Sequence, residues 1–264
     1  MRQLALAIVF SAVLMPLSRA EEWAKTYNIT GQPDLRVQTS DANIHVDTWD
    51  KKAIEARVTT EGYKIGERGI QIIEHQAGDA VDIEIRFPHD VINFNFGLHS
   101  HRVDINIHMP REGRVSLHTG DGNIELLGLK GQMDLETSDG SQQIDSVDGS
   151  LRARSGDGKI VASGRFDGLD LTAGDGRIET RVLPGSVIQS GWTLHAGDGS
   201  VTLQVPGNLA ADVDLRTGDG HVTVDMPISV EGRLGEKSIH GKLNGGGNPL
   251  TIHTGDGSIR LEKS

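Results

Sequence analysis

Seven aspartates recur at one position of a short motif: Asp121, Asp139, Asp157, Asp175, Asp198, Asp219 and Asp256, each preceded by Gly or Ser and followed by Gly. Carboxylates repeated at a fixed interval could hold calcium, and no other residues in the chain suggest chemistry so directly. One carboxylate per repeat supplies only part of a six- to eight-oxygen calcium shell. The denser Gly-Gly-x-Gly-x-Asp pattern of calcium-binding β-rolls is absent. Backbone duty accounts for the same residues. Glycine takes positive φ without a Cβ penalty, and Asp tolerates the left-handed region and can accept a hydrogen bond from the backbone two residues on. Stacked at the strand spacing of about 4.8 Å, such carboxylates would repel by about 0.9 kcal/mol per pair in bulk water. The ladder therefore requires backbone donors, outward splay or cations.

A second candidate is histidine. His99 and His101, two apart on an extended chain, would point the same way, and His108 could approach them across a turn, which makes the pair a weak metal candidate. Nucleophile and hydrolase signatures are missing: there is no Gly-x-Ser-x-Gly elbow, no His-Glu-x-x-His and no phosphate-cradling loop. Solenoid lyases and glycosidases cluster carboxylates on a sheet face. Here no column after the motif repeats Asp or Glu, and the acids that do repeat sit at corners or alternate outward. Trp23, Trp49, Trp192, Tyr27 and Tyr63 are too few and scattered for a sugar-stacking strip, and Trp192 falls where an inward residue is expected.

The elements that must position these residues follow from the repeat. From Gly120 the motif starts are separated by 18, 18, 18, 23, 21 and 37 residues, the last close to two shorter steps. A fixed period near twenty marks a repeat architecture. Leu117, Leu135, Ala153, Leu171, Leu194, Leu215 and Ile252 share one column, and small residues from Thr119 to Thr254 stand two positions later. Ile124, Ile160, Ile178, Val201, Val222 and Ile259 follow the corner, so each column lines one strand face. At the Gly140 copy Gln142 stands where an Ile is expected, which predicts a local shift. Each step holds two short strands between a Gly-Asp-Gly corner and a looser one such as Gly128–Gly131.

These features predict an all-β, β-helix-like solenoid with coils of roughly 18–23 residues. The alternative is an antiparallel meander or sandwich with Asp121-Gly122 as a hairpin turn. A meander of so many strands needs a second layer, and no helix or spare apolar segment supplies one.

Residues 111–264 carry the regular repeats, and residues 21–110 form an irregular β region expected to be the N-terminal part or cap. Within it, Leu35–Val46 is a degenerate copy with Ala42 for the second Gly, Gly78-Asp79-Ala80 is a further relic of the turn, and Ala53–Thr60, Ile70–Glu74, Val81–Phe87 and Val103–His108 read as strands. The segment Phe87–His101, rich in Phe and His, reads as a longer loop or edge element.

Met1–Ala20 reads as a signal peptide, with Arg2, an apolar run from Leu4 to Met15 and a Ser18-Arg19-Ala20 cleavage site. No later stretch is apolar enough to span a bilayer. Without Arg2 and Arg19 the 26 Lys+Arg fall to 24 against 37 Asp+Glu, a net charge of −13. That balance disfavours nucleic acid and anionic lipid as partners. The chain has no cysteine, so an exported form must bury its own core without disulfides.

The Thr-Gly-Asp-Gly-x-Ile run, the early Val37–Ile44 copy, Ile107-His108-Met109-Pro110 and the closing Ile239–Gly247 before Leu250–Ile259 resemble the bacterial "putative adhesin" family of β-strand-repeat domains of unknown function. The resemblance implies a β-helical domain, secreted or in the cell envelope, with no established activity and no functional residues to carry over. The expectation is an exported non-catalytic module, periplasmic, cell-surface or extracellular, that binds an envelope or surface protein or a glycan. A solenoid lyase or glycosidase and a calcium-dependent binder are the alternatives.

Overall fold

The computed structural model describes residues 21–88, 101–230 and 235–264. The Met1–Ala20 leader, His99 and most of the Phe87–His101 segment lie outside the described residues. The strands are β1 (Glu21–Asn28), β2 (Asp34–Thr39), β3 (Asn43–Trp49), β4 (Ala53–Glu61), β5 (Gln71–Ala77), β6 (Ala80–Arg86) and β7 (Arg102–Pro110). They continue with β8 (Glu112–Thr119), β9 (Ile124–Leu127), β10 (Lys130–Thr137), β11 (Gln142–Ser155), β12 (Ile160–Ala173) and β13 (Ile178–Val182). Then follow β14 (Trp192–Ala196), β15 (Val201–Val205), β16 (Ala211–Thr217), β17 (Val222–Asp225), β18 (Ser229–Val230), β19 (Ser238–Leu243), β20 (Pro249–Thr254) and β21 (Ile259–Lys263). Among the described residues no helix is long and apolar enough to cross a membrane.

The chain is a β-solenoid. Strands entering the corners form one face, in the spatial order β5, β6, β2, β8, β10, the second half of β11, the second half of β12, β14, β20, β16, β19, β18. Strands leaving the corners form the other, in the order β1, β4, β7, β3, β9, the first halves of β11 and β12, β13, β15, β21, β17. Pairing is parallel throughout the middle of both faces and antiparallel only near the ends. The meander alternative is thereby excluded, because neighbouring coils pair rather than the two arms of one corner.

The alternation buries one side of every strand. Leu117, Leu135, Ala153, Leu171, Leu194, Ile252 and Leu215 face Ile124, Ile160, Ile178, Val201 and Ile259 across a continuous apolar core. Trp192 is buried in it, as its inward position requires. At about 25 cal/mol per Å² of apolar area, these columns supply most of the drive to fold, since no disulfide assists.

The structure departs from the sequence reading in several places. The coils do not stack in chain order: β2–β3 sits between β6–β7 and β8–β9, and β20–β21 sits between β14–β15 and β16–β17. The 37-residue step is therefore not two coils. It holds β17, β18, β19 and β20; β19 pairs antiparallel outside β16, and β20 then turns back into the stack. Gly78-Asp79 is no relic of the corner but the two-residue turn of the β5–β6 hairpin, with Gly78 at φ 63°.

Gln142 causes no shift. It pairs in register with Ile124 and Ile160, and is buried with its Nε2 donating to Thr137 Oγ1 (3.2 Å) and to the Arg154 carbonyl (2.5 Å). The irregularity lies further on, between Ile144 and Val147, where Ser146 takes φ 55°. At that point the looser corner is absorbed into one long strand, which crosses from one face to the other.

The Gly-Asp-Gly glycines are corrected too. None of them has positive φ. They are glycine because coils touch there: a Cβ on Gly140 would lie 1.8 Å from the Gly122 carbonyl oxygen, and on Gly158 1.9 Å from that of Gly140. The same contact recurs at Gly122, Gly176, Gly199, Gly257 and Gly220 at 1.9–2.1 Å. In the early copy Ala42 stands at this position, and it is the Ala42 carbonyl that Gly122 approaches.

Candidate functional site

The corners stack in the order Asp41, Asp121, Asp139, Asp157, Asp175, Asp198, Asp256, Asp219, so the repeated carboxylates form a file along the solenoid axis. Their backbone N–H groups hold the file: Asp121 donates to the Ser40 carbonyl at 3.0 Å, Asp157 to Ser138 at 3.0 Å, Asp175 to Gly156 at 3.0 Å and Asp219 to Gly255 at 3.0 Å. Beside them runs a hydroxyl ladder. Thr119 Oγ1 donates to the Ala42 carbonyl at 2.9 Å, Ser155 to Gly140 at 3.2 Å, Thr254 to Gly199 at 2.8 Å and Thr217 to Gly257 at 2.7 Å. This ladder explains the small column: Thr119, Ser155, Thr254 and Thr217 donate to a neighbouring coil, Thr137 donates to Gly140 of its own corner, and Ala173 and Ala196 merely fit.

The carboxylates themselves accept no backbone hydrogen bond among the described residues, so the side-chain turn expected of them is not formed. At the far end Lys237 Nζ pairs with Asp219 at 2.9 Å and holds its carboxyl below the usual range. At the near end burial, and then the charge of Asp121, raises Asp41. Among the described residues no three or more His, Cys, Asp or Glu are gathered so as to hold a metal ion. Of the histidines expected to converge, His99 lies outside the described residues; His101 packs on the Tyr63 ring at 4.7 Å, while His108 pairs with Asp47 and stacks on Trp49 at 5.3 Å.

The structure brings together residues that sequence spacing does not. Across β2, β8, β10, β11, β12 and β14 the outward positions of the corner-entering face form a groove of about 590 Å³. Its floor is the outer edge of Val115, Met133, Leu151 and Leu169, themselves nearly fully buried. Its sides are polar. Asp34, Arg114, Gln132 and Ser150 form one row, and Arg36, Ser116, Asp134, Arg152, Asp170 and Thr193 the next. Arg114 reaches Gln132 at 2.9 Å and Asp34 at 3.6 Å, Arg152 reaches Asp170 at 3.2 Å, and Arg36 reaches Asp82 at 3.5 Å. Asp134 has no ion-pair partner among the described residues.

The five extra residues of the 23-residue step bound this groove. Residues 183–191 form a loop pinned by Leu183 N–H to the Gly164 carbonyl (2.7 Å), Val187 N–H to Phe166 (3.0 Å) and Asn248 Nδ2 to the Ile188 carbonyl (2.8 Å). It sets Ser190 and Gly191 at the end of the groove.

A second cluster was equally hidden. Asp214 on β16 meets Arg216 at 2.9 Å, His240 of β19 at 3.0 Å and His253 of β20 at 3.9 Å. Only the inserted order of β20 places His253 beside Asp214.

The Toastrack DUF4097 family description matches residues 31–262. No curated protein matches the chain. Among solved structures the chain is similar to a "putative cell adhesion protein" from Clostridium sporogenes, at 16% identity and TM-score 0.43, over 93% of this chain and 100% of that one. It is similar to a "putative lipid binding protein" from Parabacteroides distasonis, at 16% identity and TM-score 0.45, over 91% and 96% of the two chains. A "putative adhesin" from the same organism is similar at 13% identity and TM-score 0.44, over 92% and 98%.

Proposed function

Because the chain belongs to the Toastrack DUF4097 family, which its match over residues 31–262 shows, we propose that it is a non-catalytic binding module, exported and acting in the cell envelope or outside it. The observation that carries this reading is the groove: a rigid polar surface crossing six strands, whose charges of both signs are spread over two rows rather than aimed at one point. A solenoid presents such a face without moving, since each coil is fixed by its neighbours. The leader-like Met1–Ala20 supports export.

The lyase or glycosidase alternative needs two carboxylates facing each other across a scissile bond. Here Arg152 stands between Asp134 and Asp170 and is bonded to the latter. Protease accessibility of the protein on intact cells, with adhesion of cells lacking it, tests the proposal. Digestion of surface-exposed protein together with weakened adhesion is expected. A protein recovered only in the cytoplasm, or one that depolymerises a polysaccharide in solution, would overturn it.

A further inference from the structure

We infer that the groove over β2–β14 takes an extended, uncharged, hydroxyl-rich polymer, a neutral glycan lying along the solenoid axis; this rests on the binding-module reading above. The first argument is charge. The chain carries −11, yet the groove holds three arginines, Arg36, Arg114 and Arg152, against three aspartates, Asp34, Asp134 and Asp170. A polyanion would select a net positive groove and a polycation a net negative one. A balanced surface of planar donors and acceptors suits vicinal hydroxyls, which both donate and accept.

The second argument disfavours a protein partner. Protein interfaces centre on aromatic and arginine anchors in a desolvated apolar core, and the groove's arginines lack the apolar half of that pattern. Among the described residues the exposed large apolar side chains are Ile73, Leu127 and Val187, and none lines the groove. Among the described residues, the polar groups left open there are Asp134 and the hydroxyls of Ser116, Ser150, Ser190 and Thr193.

The third argument is the repeat. Successive strands offer a new set of polar side chains at every interval of about 4.8 Å, close to the length of one pyranose unit in an extended chain, and the groove spans about 24 Å from β2 to β14. Binding through hydrogen bonds at each interval, without stacking aromatics, gains with length until the groove is full.

The test is affinity electrophoresis of the purified protein in native gels containing dextran, mannan or hydroxyethylcellulose, with alginate as the charged contrast. At least one neutral polymer should retard it. Retardation should weaken at least tenfold in Asp134→Ala/Arg152→Ala and persist in Arg260→Ala, on the opposite face. Oligosaccharides of the retarding sugar should compete more strongly with each added unit up to about five, the number of strand intervals spanned. Circular dichroism melting of each variant separates lost binding from lost folding.

Retardation by alginate alone, by no neutral polymer, or equally in the double variant would overturn the inference. Adhesion of cells displaying the double variant distinguishes the two levels. Undiminished adhesion leaves the binding module standing and removes the groove from it, whereas adhesion that never depended on the protein removes both.

Discussion

Replacing Gly158 with alanine isolates the close approach of stacked corners. Gly158 has no positive φ, so alanine brings no backbone strain and the whole effect is steric. Its Cβ would lie 1.9 Å from the Gly140 carbonyl oxygen and 2.8 Å from Ser155 Oγ. No rotamer relieves a Cβ, and the obstacle is backbone, so the corner must lift from the coil beneath it. Three donors join it there: Gly156 N–H, shared between the Ser138 carbonyl at 2.8 Å and the Thr137 carbonyl at 3.2 Å, Asp157 N–H to the Ser138 carbonyl at 3.0 Å, and Ser155 Oγ to the Gly140 carbonyl at 3.2 Å.

At about 1 kcal/mol each their loss costs about 3 kcal/mol, comparable with the upper range for overpacking a core. For a chain of this size that is a fall in Tm of about 6–12 °C. The neighbouring Asp157→Ala is the control. Its side chain is exposed and bonds nothing on the backbone, so its effect stays within about 0.5 kcal/mol. Melting followed by far-ultraviolet circular dichroism, with urea unfolding to convert shifts into free energy, measures both. A Gly158→Ala protein melting within about 2 °C of the parent would refute the steric account. An Asp157→Ala shift as large as that of Gly158→Ala would move the corner's role to the carboxylate.

Gln142→Ile should raise stability by about 1–2 kcal/mol in urea unfolding, because it removes a buried Oε1 without a hydrogen-bond partner and extends the Ile124–Ile160 column. Thr254→Val keeps the shape but removes the donor to Gly199, and should cost about 1 kcal/mol in the same assay. Asp41 has a raised folded pKa, so the folded state binds the extra proton: the penalty of its charge is full at neutral pH and fades as pH falls through that pKa. Asp41→Asn should accordingly stabilise at pH 7 and lose that advantage in acid, as paired urea titrations would show. Calcium should leave Tm unchanged at constant ionic strength, since one carboxylate per coil is a partial shell; a rise of several degrees reversed by chelator and absent in Asp157→Asn would make the file a cation ladder.

The columns were legible because two periods coincide in them. Alternation assigns Leu117 and Ile124 inward, and the 18-residue step puts Leu135 and Ile160 in the same places, so face and stacking are read together. The corner was located correctly but for a different reason: positive φ is a property of one turn, whereas the contact of Gly140 with the Gly122 carbonyl exists only between turns. Gln142 looked like a shift because a polar residue in an apolar column suggests slippage. Instead the register of its Ile neighbours prevails, and the amide is accommodated by turning the Thr137 hydroxyl toward its own coil, where it donates to the Gly140 carbonyl at 2.8 Å.

Coil order was not legible, and the site depends on it. Every corner offers the next the same carbonyl and the same gap, so local chemistry lets the coil at Gly255 dock on Gly197 as readily as on Gly218. In the fold it does both, lying between them. The docking of β19 on the outer edge of β16 occupies the far side of that strand and leaves its near side to β20. The outward rows add a second difficulty: Asp34, Arg114, Asp134, Arg152 and Asp170 do not repeat in type, so no period marks them, and they become a surface only when the strands are in register. In a solenoid the repeated residues are those that coils need from one another, and the residues free to meet a ligand are those the repeat leaves unspecified. The aspartates at the corners recur and are explained largely by stacking geometry; the groove is where the sequence varies and where binding is to be sought.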